Sequence, residues 1–476
     1  MRGLLTVLAL AGCRQVFGLE PPMLAEPDAG GTAVSGRYML RYLYNNAAHE
    51  PIVDEAPIEF TATVKLDDGT NPPVTLLGNG DFEFTTPTPG EHYRVLLEAS
   101  GYTPLEVDHT ASTLALFEMR AGRLGGTVAA SNTQLAYQLS DVITGGSLQL
   151  FTTGSFMTTT RPSDPAPVFD WPALTTLNGL QPTLVEAQAH DRIYLLYLTP
   201  QAGVSTLERY RADDIDVANG VQTVVTGPTL PIEKPACVDA RVMAATEVQR
   251  LDAAGYSSPT TPWQVTTGAL VYPTLAIGFQ NGALAMLRNL DPPQDMRLST
   301  FVGSPVPGTL LQYLTIVRSY SIRAGSAGTP IGVMIGTAHY IGVDSTCSTS
   351  PLLGGEVEPP GVPRIDDMRL EVDRDITIDR SRDLTVSWPP LVSGSLERTR
   401  IELYEVGDGA LRPLRQFLTT SDHILVDNTL LQTGKYYVLR IGNATGWTGA
   451  QRGDFGAFTA PFANAVRLSA VFRVTN

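Results

Sequence analysis

The sequence is short of cysteine, lysine and positive charge, and each shortage excludes something. Only three cysteines occur, Cys13, Cys237 and Cys347, so a disulfide-dense miniature fold and a four-cysteine zinc site are both out of reach. Lysine appears only at Lys65, Lys234 and Lys435, and the formal net charge is −15. That balance repels a phosphate backbone, which argues against nucleic acid as a partner. Charged residues make up 17% of the chain, against 44 glycines and 35 prolines. Short strands joined by turns fit that composition better than long charged helices. The apolar run from Gly268 to Leu287 is broken by Pro273, Gln280 and Asn281 and reads as buried sheet, not as a membrane span.

Catalytic signatures are missing as well. No two of the six histidines, His49, His92, His109, His190, His339 and His423, have the i, i+4 spacing that presents a pair to zinc from one helix face. Each reads as a surface or locally bonded group. Around Ser326 the glycines stand at the wrong distance for a nucleophile elbow. The Gly78-Asn-Gly80 motif precedes a strand, so it is a hairpin turn and not a phosphate cradle. The acidic runs Asp213–Asp216 and Asp366–Asp375 lack the spacing of a calcium loop and read as solvated surface. The expectation is a chain with no catalytic residues, no metal and no cofactor.

At 476 residues the chain is long enough for two to four cores. The fold class expected is mainly β, with several antiparallel β-sandwich domains in tandem. At the start, Arg2 precedes the apolar run Leu4–Leu10, and Leu10-Ala-Gly-Cys13 follows. Residues 1–12 therefore read as a signal peptide. This stretch resembles the lipobox of bacterial lipoproteins, in which the cysteine becomes the lipidated N-terminus. The resemblance implies a diacylglycerol on Cys13, an exported protein and a lipid bilayer as its partner. Arg14 in place of aspartate implies transfer to the outer membrane. A start codon further upstream would lengthen the leader without moving Cys13. Residues 13–34, with Pro21-Pro22 and Gly30-Gly31, read as a disordered tether.

Residues 35–120 alternate strands with turns at Asp68-Gly69 and Asn79-Gly80. The string Gly78-Asn-Gly-Asp-Phe-Glu-Phe with Tyr93-Arg-Val and Ala99-Ser-Gly-Tyr102 resembles a small immunoglobulin-like or carboxypeptidase-regulatory-like sandwich. Residues 121–355 read as a large β domain, either a jelly roll or paired sandwiches. Cys237 and Cys347 both fall there, as a disulfide in an oxidising compartment or as two separate buried thiols. Trp171 and Trp263 lie in turn-rich contexts, where an exposed ring could cover a sugar face and a buried one would be ordinary packing. Trp447 has the same two readings.

Residues 356–364 are rich in proline and glycine and read as a linker. In 365–476, Trp388 ends an alternating strand, and Leu431-Gln-Thr-Gly-Lys-Tyr-Tyr437 leads into another. This pattern resembles a fibronectin type III domain. The resemblance implies a corner tyrosine at Tyr437, a closing strand over Phe462–Val474 and an insertion near 454–461. The function expected is a non-catalytic binding or structural role in a membrane-anchored envelope lipoprotein, with an envelope protein or polysaccharide as partner. The alternatives are a carbohydrate-binding surface protein and a hydrolase with a site hidden in the middle domain.

Overall fold

The computed structural model describes residues 31–475, less 122–124, 142–145, 153–154, 160–165, 177–181, 202, 257–261, 273–282, 289, 345, 372–375, 390–396 and 457–458. Strands dominate it, and the protein is mainly β. Cys13 and the tether up to residue 30 lie outside the described residues.

Period-two alternation builds the first module. Strand Asp81–Thr86 buries Phe82, Phe84 and Thr86, and strand Tyr93–Ala99 buries Tyr93, Val95, Leu97 and Ala99. The two faces meet with the Phe84 and Tyr93 rings 5.0 Å apart, edge to face. One sheet holds Thr32–Asn45, Pro51–Pro57, Thr75–Gly78, Asp81–Thr86 and Thr113–Ala121, so ordered strand begins inside the expected tether. The other holds Phe60–Leu66, Tyr93–Ala99 and Leu105–His109. Asn79 and Gly80, at φ 50° and 82°, close a two-residue hairpin between Gly78 and Asp81, since such a turn needs positive φ at both positions. Asp68-Gly69 reverses the chain too, but Phe60–Leu66 pairs with Tyr93–Ala99 and not with the strand that follows the turn.

The middle region folds as paired sandwiches. In the first, Leu135, Tyr137, Phe169 and Trp171 pack on Leu148, Leu150, Ile193 and Leu195. Strand Ile193–Gln201 is buried at every residue from Ile193 to Leu198. Its odd-numbered side chains face that core, and Tyr194, Leu196 and Leu198 face the large core shared with the rest of the molecule. A strand covered on both sides has no polar alternation to show. The second sandwich sets Ala236–Val242 and Met296–Val302 against Gln264–Tyr272, Thr309–Ile322 and Ile331–Gly342. Cys237 and Cys347 are joined as a disulfide, with their Cα atoms 5.6 Å apart. The Cys347 loop is organised by Asp344, which accepts from the backbone N–H groups of Thr346 and Thr349 at 3.0 Å each.

The last module has a core of its own: Leu384, Val386, Trp388 and Ile424 from one sheet meet Ile401, Leu403, Tyr437 and Leu439 from the other. The Tyr437 hydroxyl accepts from the backbone N–H of Gln432 at 2.7 Å, tying the turn to the strand as a corner tyrosine does. The closing segment is two strands, Phe462–Leu468 and Phe472–Thr475, and not one. At the break, Ser469 Oγ accepts from Leu439 N–H at 2.9 Å in place of a ladder carbonyl.

These modules are not strung end to end. Leu105–His109 runs parallel to Leu411–Thr419, Ile331–Gly342 pairs with Phe462–Leu468, and Ser205-Thr206 pairs with Ala285-Met286. Those pairings join 19 of the described strands into one hydrogen-bonded sheet. Buried Glu106 adds an ion pair across the first junction, accepting from Arg415 Nη1 at 2.8 Å. Between Thr445 and Phe462 the chain docks on the first module, where a Cβ on Gly453 (φ 86°) would lie 1.8 Å from the Thr113 carbonyl oxygen. The segment 356–364 corrects the expectation of a free linker. Val357 is fully buried against Ala463 and Ala465, and Pro359 and Pro360 are buried too.

Candidate functional site

Strand Arg398–Val406 turns Thr399, Ile401 and Leu403 inward and sets Arg398, Arg400, Glu402 and Tyr404 on the outer face. In a free-standing sandwich that outer face would meet water. Here Leu105 extends the same sheet, and Phe117 and Glu118 of the first module with Phe455 of the docked segment line the space over it. A cavity of about 740 Å³ remains between floor and roof. Within it, Glu402 accepts from Arg440 Nη1 at 2.7 Å and from the Tyr404 hydroxyl at 3.0 Å, and lies 3.1 Å from Arg400 Nε. Burial alone would raise the Glu402 pKa, but Arg400 and Arg440 outweigh it and hold the carboxyl below its ordinary value. Arg400 also donates to Gln416 Oε1 at 2.8 Å. Glu118 accepts from the Tyr38 hydroxyl at 3.2 Å, and burial raises its pKa against the pull of Arg400.

Arg398 is different. Its guanidinium lies 4.2 Å over the Trp447 ring, and Nη1 donates a long 3.4 Å bond to the Phe455 carbonyl. Its Nε is buried with no hydrogen-bond partner, and no carboxylate among the described residues pairs with it. Burial first, and then Arg400, lower its pKa to about 9, which still leaves it charged at neutral pH. Asn464, on the cavity wall, has a buried Oδ1 with no donor. Tyr404, Arg440 and Val466 continue into an apolar annex of about 260 Å³, closed by Val317, Ile335 and Leu468. Among the described residues the arrangement leaves one donor group and one acceptor unpaired, both closed to solvent, beside an apolar extension.

A second charged cluster lies where the helix Ala244–Leu251 meets strand Ile331–Gly342. His339 is fully buried, with Nε2 3.2 Å from Glu247 Oε2 and Nδ1 bonded to Glu356. Burial opposes its charge, but the two carboxylates prevail and raise its pKa to about 9. Arg250 pairs with both Glu247 and Glu358. The histidine has a carboxylate on each nitrogen and the arginine bridges two more oxygens, so the cluster clamps helix, strand and the 356–358 segment together.

The residues singled out from sequence fall elsewhere. Trp171 is fully buried, its Nε1 donating to the Thr183 carbonyl at 3.1 Å. Trp263 is 8% exposed, bonded to Asp252 and covered by Arg318 at 4.1 Å. Neither ring offers a face to a sugar, which corrects the expectation of a Trp171 or Trp263 platform. Trp447 is buried beneath Arg398. In the acidic run, Asp213 pairs with Arg211 and Asp214 with Arg192, and Asp216 accepts from Ala187 N–H. Arg398, Arg400, Glu402 and Arg440 were not singled out, although the period-two pattern of 400–406 already places alternate residues on an outer face.

No protein-family model matches the chain, and no curated protein does. Among solved structures the chain is similar to the chicken CNTN1 FN1–FN3 domains, a set of fibronectin type III domains, at 8% identity and a TM-score of 0.16 over 94% of this chain and 97% of that one. The assignment to fibronectin- and immunoglobulin-like sandwiches rests on the strand pairings and cores described above.

Proposed function

We propose that the chain is an exported, lipid-anchored protein of the outer membrane that binds a ligand without transforming it. Attachment would run through a diacylglycerol thioether on Cys13, where each methylene buried in the bilayer contributes about 0.8 kcal/mol, so that two or three acyl chains hold stably. The observation that carries the binding role is Arg398: a preformed cation, stacked on Trp447 and without a carboxylate partner among the described residues, in a roofed cleft. Isolated charges at partly dehydrated positions cost stability, and function is the common reason to retain them. For the anchor, Cys13→Ser should abolish metabolic labelling by a fatty-acid analogue and move the protein from the membrane to the soluble fraction. Unchanged labelling would sink the anchoring claim.

A further inference from the structure

We infer that the strand Gln222–Gly227 is a docking edge for a second copy of this chain, the two strands pairing antiparallel about a twofold axis at Val224. This goes beyond the binding role proposed above and does not depend on it.

The edge is open. In the first sandwich of the middle region one sheet runs in the order Val168–Asp170, Gln134–Leu139, Gln222–Gly227, and the last strand pairs with its neighbour alone. The carbonyls of Val221 and Gly227 accept from the N–H groups of Gln134 and Ser140. Backbone groups alternate sides along a strand, so the odd-numbered residues are used on that neighbour. Gln222, Val224 and Thr226 therefore turn their N–H and C=O groups outward, where none of them has a partner among the described residues.

Other edges of the molecule are blunted. A charge, a proline or a bulge on an edge strand discourages a neighbour. Pro51–Pro57 holds Asp54 and Glu55 between two prolines, Thr75–Gly78 has a register shift after Leu76, and Met296–Val302 carries Arg297. Gln222–Gly227 has none of these. Its four β-branched residues, Thr223 to Thr226, favour the extended chain that an added strand needs.

Self-complementarity selects a second copy over a foreign strand. Val168, Ala136 and Val224 stand side by side across the three strands, on the face turned away from the core that holds Leu135, Phe169 and Val225. Val224 is 49% exposed. A twofold axis at Val224 carries this apolar stripe on into the same three residues of the copy, an isologous contact that closes on itself. It also sets Val224 opposite itself and Gln222 opposite Thr226, and each such pair exchanges both N–H···O bonds. No side chain of the strand is charged, so like charges do not meet along the seam.

The test is sedimentation of the full-length Cys13→Ser protein over roughly 1–300 µM, in salt high enough to screen its net charge. A reversible dimer should half-dissociate on the order of 10–100 µM, as a small interface does. Val224→Lys, which opposes two ammonium groups at the axis, should weaken it at least roughly tenfold. Val224→Pro deletes only an outward N–H and should act in the same direction with the fold kept. Met368→Lys, at a comparably exposed residue of the last module, should leave the dimer unchanged. Oxidative crosslinking reads the register, because Cys237 and Cys347 are bridged and an introduced thiol is then the free one. Val224→Cys should give a disulfide-linked dimer and Thr226→Cys should not, since the two copies of residue 226 would stand about 14 Å apart. A chain that is monomeric throughout, a dimer indifferent to either Val224 substitution in a protein folded as the parent, or Thr226→Cys crosslinking as well as Val224→Cys overturns the inference. Binding of a synthetic peptide of residues 220–229 by a chain that stays monomeric also overturns it and gives the edge to a foreign strand.

Discussion

Two charged clusters sit in this molecule, and they have been treated oppositely. Around His339 each charge has a counter-charge: carboxylates within 3.2 Å of both imidazole nitrogens, although Nε2 and Glu247 Oε2 make no hydrogen bond, and an arginine spanning two glutamates. Around Arg398 the pairing stops one partner short. A closed cluster holds elements together and loses much when opened, whereas an open one contributes little to the fold and keeps its donors for something else. The difference marks the first as a clamp, and the second is where the proposed binding role rests, though both look alike as scattered polar letters in the chain.

Substitutions can break or sharpen that contrast. The largest effect is expected from Glu247→Gln, which leaves His339 and Arg250 short of a counter-charge in the interior. Urea unfolding should show a loss of about 3–5 kcal/mol. A loss below about 1 kcal/mol would mean that the clamp is not one. Replacing both Cys237 and Cys347 by serine should cost about 2–5 kcal/mol by the same measurement, because their bridge closes a 110-residue loop.

Titration probes the same clamp. The folded pKa of His339, about 9, lies above the ordinary imidazole value of 6.5, so its stabilisation is complete below pH 6.5. It is lost as pH rises through 9, by about 3 kcal/mol in all. His92, held between Asp67 and Asp108 and likewise raised to about 9, acts in the same direction. A stability profile in a His92→Gln background isolates the His339 contribution, and a flat profile from pH 6.5 to 9.5 would contradict it.

Smaller is Tyr437→Phe, which strands the Gln432 N–H and should lower stability by about 1–2 kcal/mol. Smallest is Arg398→Gln. Its unfolding midpoint should stay put or rise, since the substitution removes a charge that the fold does not answer. A fall of more than about 1 kcal/mol would place Arg398 among the clamps and erase the contrast.

Much of the architecture could be read from alternation. Trp388 and the strand leading from Tyr437 announce the last sandwich, and Asn79-Gly80 announces its hairpin, because period two and turn chemistry are local properties. Burial of one large ring is not local. Trp171 and Trp263 sit in the same Pro- and Thr-rich surroundings whether covered or bare, and only the folded chain sets Thr183 and Arg318 against them. The 356–364 segment fails for a related reason: proline and glycine describe a chain that forms no helix, which is true of a linker and equally of a strap pressed on Ala463. The outward set Arg398, Arg400, Glu402 and Tyr404 follows from alternation. Part of its roof, Phe117 and Glu118, comes from almost 300 positions earlier, beside a parallel strand pairing that leaves no mark in either local sequence.

That pairing has a consequence during synthesis. Glu106 and Arg415 are separated by 309 residues, which at usual elongation rates puts roughly 15–60 s between the emergence of one and of the other. A first module folded in that interval would carry Leu105–His109 as an open edge, a ready template for a neighbouring chain. The final hundred residues thus act as a stopper as well as a module: a ribosome halted before codon 411 releases a protein whose sheet is unfinished at its first junction.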